Sequence, residues 1–78
     1  MLREGQVEAV HDFKGSQELP VTITACPDNA EQFFIGQEVQ VLSYPQLLGK
    51  ILCGDTVRFD CSPLQSTRGK GGFGLVNS

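Results

Sequence analysis

An all-β fold is what this sequence predicts, on three observations. Apolar residues recur with a period of two rather than 3.6, and clusters of glycine, proline and aspartate interrupt the alternation at short intervals. The chain has 78 residues, which is one small domain spanning residues 1–78.

The first strand is expected over Gln6 to Phe13, with Val7, Ala9, His11 and Phe13 on the inner face and Gln6, Glu8 and Asp12 on the outer. Lys14-Gly15-Ser16-Gln17 supplies turn chemistry, and Leu19, Val21, Ile23 and Ala25 then alternate with Glu18, Thr22 and Thr24. The two strands should therefore form a hairpin, with Pro20 marking an edge because proline donates nothing to a ladder. Between Pro27 and Gly36 two readings stand. Asp28 and Glu31 have capping-box spacing and Gly36 suits a helix C-terminus, giving one or two helical turns over Asn29 to Phe34 with Phe33 and Phe34 docked on the sheet. The rival is a strand through Gln32 to Ile35.

Gln37 to Ser43 alternates cleanly, with Val39 and Val41 inward, until Tyr44-Pro45 ends it. Leu47, Leu48 and Ile51 are expected to plug the core. Gly54-Asp55 is a turn whose aspartate can bond the backbone ahead of it, launching Thr56 to Cys61 with Val57, Phe59 and Cys61 inward. The last strand is Phe73 to Val76, with Phe73 inward. Residues 62–72 are polar and glycine-rich and form a loop. Five short strands and at most one helical turn predict a small five- to six-stranded barrel, OB-like or SH3-like, since closure removes sheet edges.

Charge narrows the partners. The chain carries 9 acidic and 6 basic side chains, a net charge of -3, which opposes the phosphate attraction behind most nucleic-acid affinity. Acidity lies in front (Glu4, Glu8, Asp12, Glu18, Asp28, Glu31, Glu38), whereas Lys50, Arg58, Arg68 and Lys70 make the second half mildly basic. No apolar run approaches the roughly 18 residues of a membrane span and no signal-peptide pattern opens the chain, so a cytoplasmic protein that binds no membrane is expected. Cys26, Cys53 and Cys61 form an odd set without C-x-x-C spacing. Reduced thiols are expected rather than disulfides or a metal site, and no cofactor is indicated.

Tyr44-Pro45-Gln46-Leu47-Leu48-Gly49, then Gly54-Asp55-Thr56-Val57, then Gly69-Lys70-Gly71-Gly72-Phe73-Gly74-Leu75-Val76 resemble the N-terminal region of an uncharacterised bacterial family, domain of unknown function 3866. That pattern is similar to Y-P-x-L-x-G, G-D-x-V and G-T-G-G-x-H-x-V. This chain departs from it with Asp60 for asparagine, Lys70 for threonine and Gly74 for histidine. The resemblance covers roughly the last 35 residues and implies an N-terminal module of a larger bacterial protein. It implies architecture more than activity.

One constellation has mechanistic content. In Arg68-Gly69-Lys70-Gly71-Gly72 the glycines let backbone N–H groups converge on an anion and the flanking cations add charge. It is not a P-loop, because no hydroxyl residue follows the lysine. Arg58 and Tyr44, the one aromatic expected to be exposed, would join this weak ligand site if the barrel brings them together. His11, on the inner parity, reads as a core or rim histidine, and no nucleophile, base and acid fall together, so no catalytic residue is expected. The reading is a non-catalytic binding or protein-interaction module. Its partner is a protein or a second domain, with self-association as a further route; the alternative is nucleic-acid or phosphate-ligand binding through residues 68–72. Lys70→Ala should leave the unfolding midpoint unchanged, because a loop substitution costs little; a collapsed midpoint in thermal denaturation would refute the loop assignment.

Overall fold

A computed structural model describes residues 2–26, 33–62 and 73–76. The elements are β1 (Leu2–Val7), β2 (His11–Phe13), β3 (Ser16–Ala25), β4 (Glu38–Ser43), α1 (Pro45–Leu48), β5 (Thr56–Asp60) and β6 (Gly74–Val76). Strand order is β1-β5-β6-β4-β3-β2, and β1 also pairs with β3. Five strands thus close into a barrel, while β2 lies outside the ring as the partner of β3. Every pairing is antiparallel except β4 with β6. A simple meander yields only antiparallel neighbours. Counting barrel strands in chain order, the ring runs first, second, third, fifth, fourth, which is the Greek-key closure of the OB kind.

The expected alternation fills the interior. Leu19, Val21 and Ile23 of β3, Val39 and Val41 of β4, and Val57 and Phe59 of β5 followed by Cys61 are all buried. The early strand differs from expectation. Ladder pairing begins at Leu2 and stops at Val7, and only three residues later does β2 begin, with His11, Asp12 and Phe13 all exposed. His11 and Phe13 are therefore not inner-face residues; Arg3, Gly5 and Val7 are. The predicted hairpin does form, between β2 and β3, with Phe13 opposite Ser16 and Gly15 at φ 85° in the turn.

Pro20 does not mark an edge strand. It lies opposite Gln40 of β4, and its carbonyl accepts the Glu8 N–H at 2.8 Å on the other side. A strand residue directs N and O the same way, so the proton-less nitrogen faces the break between β1 and β2. The proline is tolerated because the ladder is interrupted there.

Other expectations are corrected by exposure. Phe33 packs against the core, but Phe34 is exposed, and residues 33–36 form a bend and turn rather than a helix or strand. The remainder of the proposed helix, residues 29–32, lies outside the described residues. Phe73 is half-buried, and its neighbour Gly74 takes the inward position. Helical structure appears instead at Pro45–Leu48.

Two glycines make room for the central ring. A Cβ on Gly5 would lie 2.5 Å from Val21 Cγ1, 2.6 Å from the Thr22 carbonyl oxygen and 3.2 Å from Phe59 Cε1. On the other side of β5, a Cβ on Gly74 would meet the Asp60 carbonyl oxygen at 3.1 Å and Phe59 Cδ2 at 3.3 Å. Phe59, wholly buried, occupies the space both glycines leave. Gly5→Ala should destabilise the fold by about 3 kcal/mol, because the clash involves backbone as well as side chain and the strand must shift. Chemical denaturation of the variant checks this, and an unchanged midpoint would contradict it.

Candidate interaction surface

The segment between β4 and β5 is shaped by proline and glycine. Tyr44 is extended at φ -118°, Pro45 opens α1, and the turn closes when Gly49, at φ 83°, donates its N–H to the Pro45 carbonyl at 2.8 Å. Four residues make a single turn, and none of them is buried. Leu47 is 80% exposed and Leu48 47% exposed, so neither plugs the core as expected. Ile51 does, at 8% exposure. Gly49 turns the chain before the leucines reach the interior, and only then does an apolar side chain enter.

Gln17 holds that entry in place. Its side-chain oxygen accepts the Ile51 N–H at 3.0 Å, while its amide nitrogen donates to the Ile51 carbonyl at 3.3 Å and to Asp12 Oδ1 at 2.9 Å. A buried glutamine thus acts as a strand partner for one residue and ties the hairpin to the connection. Ser43, opposite Gln17, is also buried, and its Oγ has no hydrogen-bond partner among the described residues. Beyond Ile51, Asp55 Oδ2 accepts the Leu52 N–H at 2.9 Å and Gly54, at φ 91°, donates to the Val7 carbonyl. The expected turn forms, with the aspartate reaching back along the chain.

This geometry gathers exposed apolar side chains at one end of the barrel. Tyr44, Leu47, Leu48 and Leu52 lie on the connection, and Phe13 lies on the hairpin joined to it through Gln17. Tyr44 was expected at the surface; Phe13 and Leu52 were not singled out as exposed. The signal for Leu52 was available, since it sits between inward Ile51 and a turn. Phe13 was hidden by the break after Val7.

Of the residues expected to form the weak ligand site, only Arg58 and Tyr44 are among those described. Arg68, Gly69, Lys70, Gly71 and Gly72 lie outside the described residues. Arg58 stands opposite Glu4 in the β1–β5 ladder and forms an ion pair with it at 3.5 Å, and β6 separates β5 from the strand that leads to Tyr44. The outer face of β3 and β4 carries Glu18, Pro20, Thr22, Glu38 and Gln40, with two acids and no aromatic. Stacking platforms for nucleic-acid bases need the opposite composition. A groove of about 210 Å³ is lined by Leu2, Arg3, Glu4, Ala25 and Arg58. It falls below the roughly 300–1,000 Å³ of ordinary small-molecule sites.

At the other end of the barrel, polar side chains converge on backbone. Arg3, only 1% exposed, donates through Nε to the Phe33 carbonyl at 2.8 Å, and the Cys26 thiol donates to the same oxygen at 3.2 Å. Phe33 adopts φ 56° to present that carbonyl, a left-handed conformation that costs a non-glycine residue about 1 kcal/mol. Nearby, the Ser62 N–H bonds Asp60 Oδ1 at 2.9 Å and holds the carboxyl below its ordinary 3.8. Burial pushes the Cys61 thiol up to about 11, although the positive charge of Arg3 pulls the other way. Among the described residues no three His, Cys, Asp or Glu side chains are grouped to hold a metal ion, and no helix is long and apolar enough to cross a membrane.

The raised thiol has a pH consequence. The unfolded chain loses this proton near pH 9.0 and the folded one near 11, so its contribution is complete below pH 9 and is lost as pH rises through that window. Denaturation from pH 8 to 11 should show wild type losing stability faster than Cys61→Ala; parallel curves would contradict the shift. No family model, curated protein or solved structure matches this chain.

Proposed function

We propose that this chain is a non-catalytic protein-interaction module that engages its partner through the apolar end of the barrel. The observation that carries the reading is the exposure of Leu47, at 80%, on a connection that also exposes Tyr44, Leu48 and Leu52. Isolated exposed leucines are ordinary, whereas a clustered apolar surface rimmed by polar groups is characteristic of contact sites. The protonated, buried Cys61 and the solvent-facing His11 offer no activated nucleophile–base pair. The resemblance to the uncharacterised bacterial family supports a second domain of the same protein as one form of partner. Three free thiols suit a reducing cytoplasm.

One observation favours the phosphate-ligand alternative. Residues 61–73 connect the fourth and fifth barrel strands, a connection that OB folds use for ligands together with the first-to-second loop. The acidic outer face of β3 and β4 weighs against an oligonucleotide lying across it.

A photo-activatable crosslinker at position 47, compared with one at Gln40 on the acidic wall, tests the reading in an extract of the native cells. Discrete protein adducts from position 47 and none from position 40 are expected. No adducts at 47, or equal adducts at both, would overturn it. Saturable amide shifts at Gly69, Gly71 and Gly72 on titration with phosphate or short oligonucleotides would instead favour the alternative.

A further inference from the structure

Resting on the interaction reading, we infer that the partner of the apolar end is a second copy of this chain, docked face to face. Area is the first argument. Tyr44, Leu47, Leu48, Leu52 and Phe13 are between 43% and 80% exposed, so each offers on the order of 60–100 Å² of apolar surface and together about 300–500 Å². A standard interface takes roughly 800 Å² from each partner, a little over half of it apolar. One copy therefore presents the apolar area that a dimer of ordinary size requires.

Charge is the second argument. With -3 on each copy, like chains repel, and the barrel wall would add Glu18, Glu38 and Asp60 to the contact, its Arg58 already paired with Glu4. The apolar end is different. Exposed Lys14 and Lys50 lie at this end with Glu8, Asp12 and Asp55, so both signs are present and an isologous contact can set a carboxylate of one copy against a lysine of the other. This end thus combines exposed apolar area with charges of both signs.

The core supplies a third. A chain of this length buries only about 60% of its unfolded surface, and at this end Ile51 enters the core from the connection, held by Gln17. A second copy seated over α1 would extend the burial.

Sedimentation velocity over a concentration series reaching roughly 1 mM, the weak limit of specific association, tests the inference on the full chain. Wild type should shift from 8.5 kDa toward twice that mass. Leu47→Asp should weaken association at least about tenfold without moving the thermal midpoint, because position 47 is solvent-facing. Leu75→Asp, on the wall, should leave it intact. A wild type that stays monomeric, or a dimer lost in Leu75→Asp but kept in Leu47→Asp, would overturn the inference. Monomeric wild type that still crosslinks from position 47 to a different protein would sink self-association alone and leave the interaction reading standing.

Discussion

The ring of Phe59 can sit at the centre of the barrel only because Gly5 and Gly74 have no side chains. β1 must pair with β5 on one side and β3 on the other to close the sheet, and at Gly5 its backbone passes within contact of Val21, Thr22 and Phe59. The β1–β3 register shifts between Glu4 and Gly5, where β1 is paired with both β3 and β5. β6 approaches from the opposite side of β5 through Gly74, which also faces Val41 of β4. A large ring between two glycines thus sets how closely three strands approach, and Leu19, Val21, Ile23 and Val41 pack around the interior so defined.

Closing the ring leaves two ends, and among the described residues each carries a polar side chain that bonds backbone. At one end Arg3 and Cys26 converge on the Phe33 carbonyl. At the other Gln17 satisfies both backbone groups of Ile51. The second arrangement has a functional consequence. Ile51 enters the core from this connection, while the single turn of α1 before it stays outside with its leucines toward solvent. The surface offered to a partner follows from how the core is capped.

Period-two alternation made the interior legible in advance at β3, β4 and β5, where Leu19 to Ile23, Val39 to Val41 and Val57 to Cys61 face inward as their spacing implies. It failed where local pattern and ladder part company. His11 and Phe13 continue the inner parity of Val7, yet the chain leaves the ladder after Val7, and parity has no meaning across a break. Leu47 and Leu48 are apolar in a polar neighbourhood, which ordinarily signals burial. Nothing in their own spacing states that Gly49 turns the chain before they can enter.

Strand content, the turns at Gly15 and Gly54 and the inward set of the central strands are properties of neighbouring residues, so alternation and backbone preference determine them. Which strands meet is not local. That β1 closes the ring by pairing with both β3 and β5, that Gly5 and Gly74 flank one phenyl ring, and that Gln17 serves residue 51 are contacts between residues far apart in the chain. Only the simultaneous packing of all the strands selects them, and the exposure of the apolar end is one of its results.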